Sequence, residues 1–310
     1  MRAVCLEGPR RARVGEVPDP IPGQGEVLVR VRACGLCGSD LNAWRGVPGI
    51  EYPLPAGAPG HEVWGEVAAL GPEAYGLAVG QPVTGVMANG LAELVLARAD
   101  DLVAVPDALA GAPFLGEPLA CAANVVRRSA VDADQPVAIV GFGYLAALVV
   151  QLLFAERPGS WVAIARRPDS RALARELGAE ATYTFDDVPA HLWDSFPVVI
   201  EAAGVQATLD YASWLTAYGG RLVIAGYHAD GPRSVNLQSW NWKGLDVINA
   251  HERDPRRYVQ GLRDGLGSVL RDRLDLARLI THSWPLDAVG DAFAVVEARP
   301  PGFVKGIVRP

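Results

Sequence analysis

Cysteine is scarce in this chain: Cys5, Cys34, Cys37 and Cys121 are the only four in 310 residues. So few thiols in so long a chain do not make a disulfide framework, and a metal or catalytic role is the better functional reading of any that matter. Long hydrophobic runs are missing as well. The longest apolar stretch, Tyr144 to Ala155, is interrupted by Gln151, and a membrane-spanning helix needs about 18 or more apolar residues in a row. No membrane span is expected. Positive charge is in deficit, with a net charge of −7, which argues against a nucleic-acid partner. Glu7 stands where a signal peptide would be apolar, so no export is indicated and a cytoplasmic location is expected. No repeat, low-complexity tract or disordered linker is seen. What is present is a chain 50% hydrophobic, enough for about two domains with ample cores.

The stretch that organises the chain is Val137-Ala-Ile-Val140, then Gly141-Phe142-Gly143-Tyr144-Leu145-Ala146, then an Ala- and Leu-rich run to Phe154. Four apolar residues before a glycine turn read as a buried strand, and the run after it as a helix. Gly-x-Gly-x-x-Ala between strand and helix is the dinucleotide fingerprint. Gly141 permits the tight turn. Gly143 lets backbone amides, with Tyr144 and Leu145 opening the helix, approach a pyrophosphate on the helix's positive end.

Before this stretch, residues 1 to about 110 hold short alternating runs such as Glu26 to Arg32, Glu62 to Ala69, Gln81 to Thr84 and Leu91 to Ala97, divided by Gly and Pro. That pattern predicts a small antiparallel barrel or sandwich. After a helix-containing connection at Leu115 to Ser129, strands and helices alternate. Strands are expected at Trp161–Ala165, Thr182–Phe185, Val198–Ala202, Arg221–Ala225 and Leu245–Ala250. Helices are expected at Ser170–Gly178, Ala207–Ala217 and Tyr258–Leu270, then a helix Asp287–Ala298 and a strand Phe303–Val308. Alternation implies a doubly wound parallel sheet with ligand beyond the strands' carboxyl ends.

Three separated pieces carry candidate metal ligands: Cys34-Gly-Leu-Cys37-Gly-Ser39-Asp40, Gly60-His61-Glu62 and Gly116-Glu117-Pro118-Leu-Ala-Cys121. Thiolate, imidazole and carboxylate together suit zinc better than magnesium or calcium. No second Cys-x-x-Cys exists, and the pair does not head a helix in a βαβ unit, so a structural zinc or redox role is set aside. Blander readings stand beside these. Cys5 and Cys34 are small buried hydrophobes; His61 can be a satisfied core histidine; Glu117 or Ser39 can cap a helix. Trp44 either lines a pocket or packs.

Taken in order, these motifs, the dinucleotide turn and the late Leu279-Ile-Thr-His282 resemble the medium-chain dehydrogenase/reductases, in the zinc-dependent branch of alcohol, polyol and threonine dehydrogenases. The resemblance covers essentially the whole chain. It implies an α/β fold: a chaperonin-10-like (GroES-like) β-barrel catalytic domain, residues 1–122 and 253–310, and a Rossmann domain, 123–252. It also implies Cys37, His61 and Glu117 as ligands of one catalytic zinc, with Glu62 beside the metal and able to join it. Cys121 is the runner-up for the third place. Ser39 corresponds to a proton-relaying hydroxyl, Asp40 to the carboxylate that orients the histidine, and Lys305 to a basic residue reaching the pyrophosphate. Two departures matter. Asn42 replaces a histidine common at the outer end of the relay, and the cysteine loop of a second, structural zinc is missing.

An acid at the end of the second sheet strand normally holds the NAD ribose. Here Ala165 stands there, followed by Arg166 and Arg167, two guanidiniums suited to a 2′-phosphate. NADP is therefore preferred over NAD. Ala202, Gly204, Ala225 and Gly226 close other strand ends and are expected at the cofactor. The expected enzyme transfers hydride between NAD(P) and a secondary alcohol or ketone of the polyol, sugar, cyclitol or amino-alcohol type, and assembles as a homodimer or homotetramer. The alternatives are a zinc-free NADPH-dependent alkene or quinone reductase on the same fold, or a non-catalytic nucleotide-binding protein.

Overall fold

Two hydrophobic patterns, alternating in one part of the chain and continuous in the other, build two units, each with its own sheet. A computed structural model describes residues 1–132, 134–155, 159–271 and 274–310. One unit comprises Met1–Ala120, Asp254–Leu270 and Asp275–Pro310; the other comprises Cys121–Arg253 and Arg271–Leu274.

The first unit opens with an antiparallel hairpin, β1 (Arg2–Gly8) and β2 (Arg11–Glu16). There follow β3 (Glu26–Gly35), α1 (Asp40–Arg45), β4 (Glu62–Leu70), β5 (Pro82–Gly85), β6 (Leu94–Arg98) and β7 (Leu102–Ala104). Along β3, Val27, Val29 and Val31 are buried while Arg30 and Arg32 face out, the period-two pattern of a half-buried strand. Helix α2 (Gly116–Ser129) then carries the chain into the second unit.

There β8 (Val137–Val140), α3 (Tyr144–Phe154), β9 (Trp161–Ile164), α4 (Pro168–Glu176), β10 (Ala181–Tyr183), β11 (Phe196–Glu201), α5 (Gln206–Leu215), β12 (Thr216–Ile224), α6 (Leu237–Lys243) and β13 (Asp246–Asn249) succeed one another. The strands pair in parallel in the order β10-β9-β8-β11-β12-β13. This is the doubly wound order with its reversal between β8 and β11. Every residue of β8 and β9 is buried, as strands covered on both faces require.

The chain returns to the first unit with α7 (Pro255–Leu270), β14 (Ile280–Pro285), α8 (Val289–Ala298) and β15 (Lys305–Arg309). The first unit's sheet runs β14-β15-β3-β4-β5-β7, with β6 folded back onto β3. Its core gathers Val4, Leu6, Val29, Val63 and Phe293, and Trp44 stacks on Phe293 at 5.1 Å. Trp44 is thus packing.

Element boundaries moved where local pattern and tertiary pairing disagree. Thr216 and Ala217, expected at the end of a helix, begin β12, because Thr216 pairs with Phe196 of β11. Helix α6 was not expected. Its signal is local: Asn236 Oδ1 accepts from the Ser239 amide at 3.0 Å, an N-cap.

Candidate active site

Sheet register in the first unit assembles the metal candidates. On β3, Gly35 lies opposite Glu62 of β4, while on its other side the β3–β15 pairing sets Gly35 opposite Ile307. Cys37 follows just beyond the end of β3, His61 just precedes β4, and Lys305 opens β15. Glu62 and Lys305 therefore meet across Gly35. A Cβ on Gly35 would sit 2.1 Å from Glu62 Oε2, so only glycine leaves the carboxylate its place.

Ligand atoms of Cys37, His61 and Glu62 lie within 4.8 Å of one another. Two ligands of one zinc, at about 2.0–2.3 Å each, sit at most about 4.6 Å apart, so this trio fits a single ion with modest adjustment. His61 is held for the purpose. Its Nδ1 faces Asp40 Oδ1 at 3.1 Å and the Pro59 carbonyl at 3.2 Å, which turns Nε2 toward a metal. Asp40 is buried, and its other oxygen accepts the Cys37 amide at 2.8 Å. One carboxylate thus orients both the imidazole and the thiol-bearing loop.

Glu117 is not in the trio. Its Oε1 accepts from the Tyr258 hydroxyl of α7 at 2.5 Å, and its charge contributes to raising the His61 pKa. The structure therefore puts Glu62, the neighbour of His61 on one strand, in the nearest carboxylate place and Glu117 beside it. Glu117 is positioned through Thr84, whose hydroxyl accepts the Gly116 amide at 3.0 Å and donates to the Val63 carbonyl at 2.8 Å. Cys121 is absent from the trio, and so is Cys34, which is buried with its thiol pushed well up by that burial. Ser39 stands at the N-cap position of α1, yet its side chain makes no capping bond.

Lys305, expected at the pyrophosphate, has its ammonium in this centre. It lies 2.6 Å from Glu62 Oε1 and 2.5 Å from Oε2, with both side chains buried. The site is thus rich in anionic donors with an internal cation. Burial lowers the His61 pKa, but Asp40, Cys37 and Glu117 together outweigh it and the net shift is upward. Burial raises the Glu117 pKa. Neighbouring acids add an upward push to both, Asp40 on His61 and Glu62 on Glu117. The donor set, a thiol, an oriented imidazole and carboxylates, fits zinc.

In the second unit, Gly141 turns at φ 85°, and a Cβ there would meet Ala203 Cβ at 2.5 Å. Gly143 is the N-cap of α3, and a Cβ there would meet nothing within 4 Å, leaving open space over the helix's positive end. Tyr144 and Leu145 begin α3. Ala165, Arg166 and Arg167 follow β9; Ala202 and Gly204 follow β11; Ala225 and Gly226 follow β12. All are at the carboxyl ends of the parallel strands. Arg166 is exposed, and Arg167 is the N-cap of α4 with its pKa lowered by burial. Sequence reasoning missed Arg171, whose Nη1 donates to the carbonyls of Ala165 (2.8 Å) and Arg166 (2.7 Å). Its signal was a third arginine one helical turn beyond the pair. Tyr258 was missed too, and nothing in its local sequence tied it to Glu117.

Residues 23–107 match the model of the alcohol dehydrogenase GroES-like domain, and residues 147–264 match that of the zinc-binding dehydrogenases. A 2-dehydro-3-deoxy-L-galactonate 5-dehydrogenase of Pseudoalteromonas atlantica is 28% identical over 91% of each chain. An erythritol/L-threitol dehydrogenase of Mycolicibacterium smegmatis is 29% identical over 92% of this chain and 91% of its own. A crystal structure from Sinorhizobium meliloti, described as a zinc-binding dehydrogenase bound to NADP, superposes with a TM-score of 0.84 at 26% identity, covering 100% of this chain and 99% of that one.

Proposed function

The chain belongs to the medium-chain dehydrogenase/reductase superfamily, and from that premise we propose a zinc centre at Cys37, His61 and Glu62, with Glu117 beside it, serving NADP-linked hydride transfer. The protein is an oxidoreductase acting on CH–OH groups with a nicotinamide cofactor. Its substrates are alcohols and ketones of the polyol or sugar-acid kind, the chemistry named for its relatives. The observation that carries the metal assignment is the trio within 4.8 Å, with Asp40 on the far nitrogen of the imidazole.

When bound there, zinc would supply Lewis-acid polarisation of the substrate oxygen, and the nicotinamide carries the hydride. The chain's own residues do the rest. Asp40 keeps His61 in the tautomer that presents Nε2. Ser39, its hydroxyl uncommitted to the helix cap, passes the substrate proton outward. Asn42 does not titrate near neutral pH, so the last transfer falls to water or another group. Lys305 balances Glu62.

One zinc per chain is our reading, since residues 86–93 between β5 and β6 contain no cysteine. NADP preference rests on Arg166 and Arg167, with Arg171 beside them, where an acid would hold the NAD ribose. The four free cysteines fit a cytoplasmic protein, and the edge strand β13 is the contact we assign to a homodimer or homotetramer. A panel of polyols, secondary alcohols and ketones followed by NADPH and NADH absorbance tests the whole. Turnover is expected with NADP ahead of NAD. Arg166→Asp should weaken NADP selectively, and Cys37→Ser should abolish turnover while cofactor binding persists. Full activity in a metal-free preparation would refute the zinc reading.

A further inference from the structure

Among the helix N-termini at the carboxyl edge of the parallel sheet, those of α3 and α5 contrast. At α3 the cap is Gly143, with free space where a side chain would be. At α5 the protein has supplied its own anion. Glu201, fully buried at the end of β11, accepts through Oε1 from the amides of Ala203 (2.8 Å) and Gly204 (2.7 Å) and from the Thr208 hydroxyl (2.6 Å). Its backbone carbonyl takes the amides of Ala225 and Gly226. A diphosphate therefore belongs at α3, and the β11–β12 corner is already negatively charged and satisfied.

The second oxygen of Glu201 starts a relay. Its Oε2 lies 3.1 Å from His228 Nε2, and Arg233 Nε donates to His228 Nδ1 at 2.8 Å. The guanidinium can only donate, so Nδ1 accepts and Nε2 is the nitrogen that faces the carboxylate. The same guanidinium donates from Nη2 to the Gly204 carbonyl at 2.8 Å and pairs with Asp230. Gly204 itself has φ 75°, and a Cβ on it would sit 2.5 Å from the Tyr227 carbonyl. The loop after β12 is thus laid directly on the elbow after β11 and pinned there. The loop carries Gly226 and the exposed Tyr227, whose ring stacks on His251 beyond β13 at 6.2 Å.

Strand order says which half of a dinucleotide this corner meets. The glycine turn after β8 and the arginines after β9 lie on the adenosine side of the reversal; β11, β12 and β13 lie on the other. We propose that Arg233 and His228 are positioning residues for the nicotinamide half of the cofactor. Their relay to Glu201 holds residues 226–234 in the bound shape before the cofactor arrives, so that its binding does not have to order them. This inference rests on the nucleotide reading of the second unit and adds to it residues that touch neither the glycine turn nor the metal ligands.

The test is binding of two probes, ADP and NADPH, by the full-length protein, followed by fluorescence and joined to steady-state kinetics. Variants are Arg233→Leu, His228→Leu and His228→Gln. In the two leucine variants the NADPH Kd and KM should rise about tenfold, the size of one lost hydrogen bond to a charged group. The kcat should be kept, the sign of lost uniform binding. ADP affinity and zinc content should not change. His228→Gln should recover most of the loss, because its amide can accept from Arg233 and donate to Glu201. If Arg233→Leu does not fold, Arg233→Lys, which keeps the charge but lacks the fork, carries the same expectation. Unchanged NADPH affinity, equal weakening of ADP and NADPH, or a Gln variant as poor as the Leu variant would each overturn the relay. Failure of the wild-type protein to bind ADP at all would overturn the nucleotide reading itself, and the relay with it.

Discussion

A thiol, an imidazole and a carboxylate within 4.8 Å of one another need positive charge close by. In this chain Lys305 supplies it. Its ion pair with Glu62 is buried on both sides, at 6% and 2% exposure, so removing one partner strands a charge in a medium that solvates it poorly. Lys305→Met is expected to destabilise the metal-free protein by about 3–5 kcal/mol, read by denaturant unfolding. Added zinc should restore part of that loss, because a cation bound only to the folded state stabilises it. Asp40 acts differently, since it aims His61 rather than balancing charge. Asp40→Asn should lower zinc affinity by about 10–100-fold in chelator competition while leaving the fold intact. The family resemblance carried by the motifs around Cys37, Asp40 and His61 already pointed to this centre. The resemblance put Glu117 in the third ligand place with Glu62 beside it, whereas Glu62 is the carboxylate grouped with Cys37 and His61. Glu62 and Glu117 differ by what reaches them, Lys305 across Gly35 and Tyr258 from α7, and both partners come from the far end of the chain.

At the scale of elements, a single glutamate on α8 ties three pieces of the first unit together. Glu297 accepts from Arg10, in the β1–β2 turn, at 2.6 and 2.7 Å, and from Arg45, in the last turn of α1, at 2.9 Å. The hydrogen bond from Arg45 and then that from Arg10 hold its carboxyl below the ordinary value. A lowered pKa contributes stability above the unfolded-state value, about 4.3, and the contribution is lost as pH falls through the folded value. Glu297→Gln should therefore cost about 1 kcal/mol at neutral pH, the upper range for partly exposed pairs. The difference from wild type should fade as the pH drops below about 4; a cost that persists in acid would assign Glu297 a packing role instead. Such a latch is not visible locally, because Glu297 lies more than 250 positions from both arginines. Helix α6 was hidden for a related reason. Lys243 at its end is buried, with Nζ donating to the carbonyls of Ser213 and Thr216, so contacts at the end of α5 fix the short helix as well as its own Asn236 cap.

For the molecule as a whole, two patterns carried most of the legible information. Period-two valines marked the first sheet, and continuous apolar runs followed by glycine turns marked the second. Strand order in the second unit follows from that alternation together with the right-handed crossover. Strand ends were less legible, because pairing with a neighbour, as Thr216 does with Phe196, decides them. The buried relay of Glu201, His228 and Arg233 was the least legible of all, since nothing in the spacing of those three residues announces that one loop rests on another.

The proposed zinc centre requires a thiolate and an imidazole, 24 residues apart in sequence, to hold the same ion. Replacing the native metal with cobalt(II) and recording the absorption spectrum tests this most directly, because thiolate ligation gives a near-ultraviolet charge-transfer band and tetrahedral geometry gives strong visible bands. We predict one equivalent of cobalt per chain with both signatures in the wild-type protein, the charge-transfer band lost in Cys37→Ser and the metal lost in His61→Ala. An octahedral spectrum without the thiolate band, or a band that survives in Cys37→Ser, would contradict the assignment.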